Sequence, residues 1–233
     1  DLERFGHVQV VTIEQFRNRA LKIVDKYLSL PEDDRKPMMF VLDSLGMLST
    51  EKEIKDVLED KQTRDMTKSQ LVKGAFRMLT LKLGQANVPL IVTNHTYDVI
   101  GAYVPTKEMG GGSGLKYAAS TIIYLSKAKE KDGTEIVGNI IKAKAVKSRL
   151  SRENRVAAIR LYYDERGLDR YYGLLELGES TGVIKKVGNR YEIDGKKVYA
   201  KEVYSNPEKY FTDDLMSRLD EAAQKEFTYG GGE

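Results

Sequence analysis

The 233-residue chain contains no cysteine and only two histidines, His7 and His95. The missing thiols exclude disulfide bonds and thiolate metal sites, and they fit a reducing compartment without establishing one. Two histidines leave almost no scope for a structural zinc site. The longest apolar stretches are far too short to cross a bilayer, and no signal peptide opens the chain. The chain starts with Asp rather than Met, so we expect a fragment or a processed product.

The chain also carries only a small excess of positive over negative charge. The net charge of +3 is too low to indicate nucleic-acid binding by itself. The distribution is more informative, because residues 142–155 carry one glutamate and six cations: Lys142, Lys144, Lys147, Arg149, Arg152 and Arg155. The length suits one α/β domain or a core with a small appendage, and a hydrophobic content of 41% can bury a sizeable core.

Two apolar runs end in polar residues. Residues 38–44 end in Asp43-Ser44, and residues 88–95 end in Asn94-His95. Continuous apolar runs of this length are typical of central strands in a parallel sheet, whose carboxyl ends face the ligand crevice. An Asp followed by Ser at such an end is the pattern that a P-loop NTPase uses to hold Mg²⁺. The phosphate loop G-x-x-x-x-G-K-[ST], however, occurs nowhere in the 233 residues.

Strand and helix patterns alternate in the first half of the chain. Residues 8–11 are expected to form a strand, and Thr12 with Gln15 predicts a capped helix. Thr67 with Gln70 predicts a second capped helix, which ends near residue 86. This order predicts right-handed crossovers and a parallel sheet. The apolar helix faces comprise Ile13, Phe16, Ala20, Ile23, Val24 and Tyr27, and then Leu71, Val72, Ala75, Phe76, Leu79 and Leu83.

The pattern changes after residue 120. Strands are expected over residues 120–125, 139–146 and 156–162, with a hairpin signal at Asp132-Gly133. We predict an antiparallel meander that extends the parallel sheet. A short helix, a hairpin over residues 190–198 and a helix capped by Thr212 follow. The predicted organisation is therefore an α/β core over residues 1–172, a small α+β region over residues 173–228 and a flexible tail over residues 229–233.

Each candidate site also has a plainer interpretation. Asp43 is either an Mg²⁺ ligand, with Ser44 beside the nucleotide, or a cap of the following turn. Asn94-His95 either senses the γ-phosphate or is a satisfied polar pair at a strand end. The irregular residues 96–114 hold five glycines and form either a single-strand-binding loop or a mobile loop. Gly110, Gly111 and Gly112 do not form a P-loop, because no Lys-Ser/Thr follows them.

Two basic stretches also have both a functional and a plainer interpretation. Lys147 and Arg149 are two residues apart, so on a strand they share one face. They either reach the nucleotide of a neighbouring subunit or belong to a solvated face. Residues 60–68 carry Lys61, Arg64 and Lys68, which either contact a phosphate backbone or form a charged linker.

Five motifs in register resemble the RecA family of recombinases, most closely its UvsX-type bacteriophage members. They are FVLDSLG at residues 40–46, IVTNHTY at 91–97, MGGGSGLKYAAS at 109–120, VKSR at 146–149 and YGLLELG at 172–178. The resemblance covers roughly residues 8–190. It implies an incomplete RecA-like P-loop NTPase core and a protein that uses ATP and Mg²⁺ to form filaments on single-stranded DNA for homologous recombination and DNA repair.

The resemblance also implies roles for individual residues. Asp43 is the carboxylate that acts on Mg²⁺, with Ser44 and the γ-phosphate sensor His95 as its catalytic neighbours. On the nucleotide-binding side we expect Asn94, Lys116, Tyr117, Lys147 and Arg149, of which Lys116 and Tyr117 couple adjacent subunits and Lys147 and Arg149 reach the neighbour's ATP. DNA contacts are expected from Lys61, Arg64, Lys68, Tyr97, Tyr103, Lys107, Gly110, Gly111 and Gly112.

The departures from the family qualify these expectations. The family's P-loop and catalytic Glu lie upstream of the region that this chain matches, so we expect the 233 residues alone to be inactive as an ATPase. The expected partners are single-stranded DNA and further copies of the chain, as a filament or dimer, with single-strand-binding and mediator proteins as additional candidates and no membrane. The expected compartment is the cytoplasm of a bacterium or a phage-infected cell.

Two alternatives remain. One is a non-catalytic RecA-like DNA-binding, mediator or filament subunit without ATP turnover. The other is an α/β enzyme with Asp43 as nucleophile or metal ligand, which is the weakest because no second carboxylate appears near either strand end.

Overall fold

The computed structural model describes residues 4–61, 67–99, 101, 103 and 107–228. The predicted tail at residues 229–233 and Arg64 lie outside the described residues. The chain divides into two compact units, Asp1–Ala119 and Ser120–Glu233. The boundary that the sequence places at residue 172 stays a prediction. None of the helices in the described ranges has the length and apolar character needed to span a bilayer.

The first unit is a mixed α/β structure. Its elements are α1 Ile13–Leu28, β1 Phe40–Leu42, α2 Glu51–Leu58, α3 Lys68–Ala86, β2 Leu90–Val92, β3 Thr96–Asp98, β4 Lys107–Met109 and α4 Gly112–Ala118, with short 3-10 helices at Glu32–Asp34 and Leu45–Met47. The second unit contains β5 Thr121–Asp132, β6 Glu135–Ser148, β7 Val156–Tyr162, α5 Leu174–Thr181, β8 Lys185–Val187, β9 Arg190–Ile193, β10 Lys196–Tyr199, α6 Ala200–Ser205, α7 Pro207–Tyr210 and α8 Asp213–Phe227.

The predicted cap of α1 is confirmed. The Thr12 hydroxyl accepts a hydrogen bond from the Gln15 amide at 3.1 Å, although Gln15 Oε1 accepts from the amide of Val11 and not from that of Thr12. The predicted cap of α3 is wrong. Thr67 is the N-cap residue, but its backbone is already helical and its side chain makes no capping hydrogen bond. An N-cap residue typically has extended backbone, which turns its side-chain oxygen onto the first turn of the helix.

The core of the first unit lies between α1, α3 and the two parallel strands. Most of the predicted helix faces are buried in it, including Phe16, Val24, Phe76 and Leu79. The strand predicted over residues 8–11 is wrong. Those residues form no strand, and a single parallel bridge joins Thr12 to Ser49. The cap of α1 takes the Val11 amide, so it is not available for a strand ladder.

The parallel sheet of the first unit has two strands. Phe40, Val41 and Leu42 pair with Leu90, Ile91 and Val92. One face packs against the helical core, whereas Val41 and Ile91 on the other face are 59% and 50% exposed. The sequence predicted burial on both faces. In the described residues, one face is covered.

The second unit is built on antiparallel strands. The predicted meander is confirmed, since β5, β6 and β7 pair in that order, and β8, β9 and β10 form a second sheet. The predicted extension of the parallel sheet is not observed, because in the described residues β5, β6 and β7 form one sheet and β1 and β2 form another. Alternating apolar residues define pairing within a meander but carry no information on the strand at its outer edge.

A second hydrophobic cluster lies beyond the meander. It surrounds Leu175, Ile184 and Val203, which are 0–2% exposed. Next to it, Arg160 of β7 forms ion pairs with Asp169 at 2.6 Å and Glu130 at 3.3 Å. The Arg160 guanidinium also lies 4.6 Å from the ring centre of Tyr172. This charged cluster joins the meander to the segment that leads into α5.

Candidate functional site

The ends of β1 and β2 are joined directly. The Thr93 amide donates to the Leu42 carbonyl at 3.0 Å, and the Leu45 amide donates to the Thr93 carbonyl at 3.0 Å. The Thr93 hydroxyl donates to Asp43 Oδ1 at 2.6 Å. Asp43 is exposed, and the peptide bond that joins it to Ser44 is cis. The parallel register therefore places the Asp43 carboxylate beside the polar end of the neighbouring strand, as the sequence predicted.

His95 lies against the loop that follows Asp43-Ser44. A Cβ atom added at Gly46 would lie 2.9 Å from His95 Cδ2 and 3.6 Å from Asn94 Oδ1. Only a residue without a side chain permits this approach of the imidazole to the backbone. The structure thus brings Asp43, Ser44 and His95 into one region at the carboxyl end of the parallel strands.

Asn94 connects this region to the glycine-rich segment, residues 110–114. Its Nδ2 donates to the Gly110 carbonyl at 2.7 Å, and its Oδ1 accepts from the His95 amide at 2.9 Å. The Gly110 amide donates to the His95 carbonyl at 3.1 Å. Two hydrogen bonds therefore join the end of β2 to Gly110, two residues before α4 begins, and the third holds the Asn94 side chain against the His95 backbone.

The glycine-rich segment packs tightly at its far side as well. Gly111 has φ +90°, and a Cβ there would contact Leu45 at 3.4 Å. Within α4, a Cβ at Gly114 would lie 2.5 Å from Lys73 Cβ of α3. The helix is thereby held close to α3, and it presents Lys116 and Tyr117, of which Tyr117 is 73% exposed.

The candidate DNA-contacting residues lie at two places in the first unit. Strands β3 and β4 form a hairpin within the stretch that the sequence predicted to be irregular. Tyr97 on β3 and Tyr103 between the strands are both strongly exposed, and Lys107 lies 3.9 Å from Asp98. The other place flanks α2, where Lys61 pairs with Glu59 and Lys68 with Glu53.

These cations are held in surface ion pairs. Exposed pairs contribute about 0–1 kcal/mol, so phosphate groups can displace such carboxylates at little cost. The candidates Gly110, Gly111 and Gly112 have a different place, because Gly110 and Gly111 connect the hairpin to α4 and Gly112 is the first residue of that helix.

Lys147 and Arg149 belong to the second unit. Lys147 pairs with Ile122 across β5 and β6, next to a register shift in the ladder. Arg149 follows the last residue of β6, and its amide donates to the Ser120 carbonyl at 3.0 Å. The sequence predicted that Lys147 and Arg149 lie on one face of a strand. That prediction is wrong, because Arg149 lies in the bend after β6.

Thr93 and Gly46 contribute to the site and were missed from the sequence. A hydroxyl one residue after an apolar strand and a glycine three residues after Asp43 are weak signals individually. Their roles follow from the pairing register, which the sequence does not specify.

Comparison with known proteins gives consistent results. The family described as the RecA N-terminal domain matches residues 9–169. The chain is similar to the recombination and repair protein of Enterobacteria phage T4, with 34% identity over 189 residues, which cover 81% of this chain and 46% of that protein. It is also similar to Protein RecA of Corynebacterium urealyticum, with 30% identity over 220 residues, which cover 91% of this chain and 56% of that protein. The chain spans about half the length of these curated relatives.

Proposed function

This chain belongs to the RecA family, and from that premise we propose that it is the part of an ATP-dependent recombinase that senses bound nucleotide and contacts single-stranded DNA. The observation that carries the proposal is the region in which Asp43, Thr93, His95 and Gly110 are joined by direct contacts. Such a region links a nucleotide site to a DNA-binding hairpin within a few residues. The complete protein would form filaments on single-stranded DNA in homologous recombination and repair.

Asp43 fits the requirements of a magnesium ligand. Mg²⁺ is usually held by one or two carboxylates together with phosphate oxygens and waters. Asp43 is exposed, and a carboxylate that accepts one hydrogen bond from Thr93 retains acceptor capacity on its other oxygen. The described residues contain no group of three His, Cys, Asp or Glu side chains that could form a cage around the ion. The other ligands would therefore be nucleotide oxygens and water.

The neighbouring side chains would read the state of the nucleotide. ATP with Mg²⁺ supplies the phosphate whose transfer drives the cycle. His95 would donate a hydrogen bond to its terminal phosphate, and Ser44 would line the same side. Because Asn94 and the His95 backbone hold Gly110, a shift of His95 would move the hairpin and the start of α4. Binding of nucleotide and of DNA would then favour each other.

The DNA side would combine stacking with phosphate contacts. Exposed aromatic rings such as Tyr97 and Tyr103 stack on unpaired bases, and nearby lysines such as Lys107 neutralise phosphates. Lys61 and Lys68 would provide a second set of phosphate contacts. Lys116 and Tyr117 would meet an adjacent copy, and Lys147 and Arg149 would reach that copy's nucleotide. Such a protein would work in the cytoplasm of a bacterium or a phage-infected cell, where its DNA is found.

The test uses a completed protein, defined as this chain joined to an upstream segment that carries a Gly-Lys-Ser/Thr phosphate loop. We expect phosphate release that is stimulated by oligothymidylate in the completed protein and is not detectable with the 233 residues alone. Asp43→Asn should abolish the stimulated release. Stimulated hydrolysis by the 233 residues alone, or full activity of the Asp43→Asn variant, would refute the proposal.

One observation favours a second function. A DNA-binding mediator or filament subunit without ATP turnover would need only the exposed aromatic side chains Tyr97 and Tyr103 and the nearby cations. The DNA that adjoins the coding region separates the two functions. An open frame encoding a phosphate loop supports the recombinase, whereas a stop codon followed by a start codon supports the non-catalytic subunit.

A further inference from the structure

Three polar side chains are almost fully buried in the described part of the chain: Thr12, Thr50 and Ser148. Thr12 and Thr50 are the N-caps of α1 and α2, which explains their burial. Ser148 caps no helix. It is the last residue of β6, is 5% exposed, and stands between the two cations Lys147 and Arg149.

The Ser148 hydroxyl organises the turn that follows β6. It accepts hydrogen bonds from the Ser151 amide at 2.9 Å, from the Leu150 amide at 3.2 Å and from the Ser151 hydroxyl at 2.9 Å. The Ser148 amide donates to Glu153 Oε1 at 3.2 Å. A buried hydroxyl with these partners fixes the backbone of the turn that follows it, because each lost bond would leave a polar group unsatisfied.

The same turn is attached to two other elements of the second unit. The Arg149 amide donates to the Ser120 carbonyl at the start of the meander, and the Arg152 amide donates to the Phe227 carbonyl at the end of α8, both at 3.0 Å. Ser151 forms an antiparallel bridge with Thr228. The backbone that carries Arg149 is therefore fixed in place on several sides, although the Arg149 side chain is exposed.

We propose that Ser148 is a positioning residue that sets the direction in which Arg149 extends toward the nucleotide of an adjacent copy. The Ser148 hydroxyl holds the amides of Leu150 and Ser151, the two residues that follow Arg149 in the chain. Long flexible cations lose less conformational freedom on reaching a phosphate when their backbone is already fixed. This inference rests on the proposed function, in which the two cations act on a neighbour's ATP.

The test is a double-mutant cycle in the completed protein, with oligothymidylate-stimulated phosphate release as the readout. Arg149→Ala should lower kcat about a hundredfold, as removal of one charge-stabilising donor does. Ser148→Ala should lower kcat about tenfold, because a displacement of catalytic groups is costly even when the groups are retained. In the Arg149→Ala background, where the cation that Ser148 positions is gone, Ser148→Ala should lower kcat by no more than about twofold further.

Two variants separate positioning from general damage to the fold. Ser148→Thr retains the hydroxyl and should keep kcat within about threefold of the parent protein. Ser151→Ala removes one hydroxyl but leaves both backbone donors to Ser148, and should change kcat less than twofold. If Ser148→Ala fails to fold, Glu153→Ala is used instead, because it removes the acceptor of the Ser148 amide and loosens the same turn. The decrease in kcat that Glu153→Ala causes should likewise vanish in the Arg149→Ala background.

The outcomes distinguish failure of the positioning role of Ser148 from failure of the proposed function. Losses from Ser148→Ala and Arg149→Ala that multiply would show that Ser148 acts independently, and would overturn this inference alone. Full activity of Arg149→Ala would remove the role of this cation from the proposed function, and this inference with it. A Ser148→Thr variant as impaired as Ser148→Ala would also contradict positioning by the hydroxyl.

Discussion

Replacement of Gly46 by alanine tests the contact between His95 and the loop after Asp43. The new Cβ would lie 2.9 Å from His95 Cδ2, whereas carbon atoms reach favourable contact at about 3.5–4.0 Å. The imidazole must therefore retreat by at least about 0.6 Å. Overpacking of this kind costs about 1–3 kcal/mol in a core, and we expect about 1 kcal/mol here because His95 is exposed and can swing toward solvent.

The effect on position should exceed the effect on stability. We expect displaced imidazole resonances and faster hydrogen exchange of the Gly110 amide, which donates to the His95 carbonyl. In the completed protein, a sensor displaced by this distance should slow oligothymidylate-stimulated phosphate release about tenfold.

Gly74→Ala is the matched control, because nothing lies within 4 Å of a Cβ added at Gly74 in α3. Alanine inside a helix should stabilise the chain by about 0.5–1 kcal/mol there and leave His95 unmoved. If Gly46→Ala and Gly74→Ala show the same stability and the same His95 resonances, His95 does not lie against Gly46.

Further predictions concern the charged cluster, the pH response and DNA binding. Arg160→Met should destabilise the chain by about 3 kcal/mol in urea titration, because Glu130 and Asp169 lose their half-buried partner, and Arg166→Met at an exposed pair should cause no resolvable change. Burial, and then Glu176, raise the pKa of Tyr204 above its ordinary value. Stability should thus be retained below about pH 10 and fall as pH rises through the folded-state pKa, less steeply in Tyr204→Phe; equal slopes would contradict this. Oligothymidylate affinity should fall steeply with salt, and Lys107→Gln should reduce the log–log slope by about 0.7, whereas an unchanged slope would exclude this phosphate contact.

Local patterns predicted much of the fold. The strand at residues 156–162, the helix capped by Thr12 and the helix capped by Thr212 are all present, because apolar periodicity and capping depend on neighbours in sequence. The strand predicted at residues 8–11 is absent, because a local pattern does not provide a neighbouring strand. Four apolar or polar residues in alternation suffice for a prediction, but a strand also needs a partner along its length.

Features that depend on contacts between residues far apart in the chain could not be predicted from local patterns. The β3–β4 hairpin lies inside a stretch that contains no clear alternation of apolar and polar residues, so local patterns did not indicate its pairing. The Thr93 bond to Asp43 follows from the register of two strands 50 residues apart. The sequence predicted that Asp43 and His95 would be close, since both follow strands of one sheet, but it could not predict that Gly46 lets the imidazole lie against the loop after Asp43.

The central claim is that His95 reports the nucleotide bound beside Asp43 to the DNA-binding hairpin. Its most direct test measures, in the completed protein, the affinity for oligothymidylate with and without ATP and the affinity for ATP itself. We predict that His95→Ala removes most of the ATP-dependent gain in DNA affinity while ATP affinity changes less than about threefold, and that His7→Ala, at the other histidine, changes neither. Equal losses of ATP affinity and of its coupling to DNA, or an unaltered ATP-dependent gain in His95→Ala, would contradict the account.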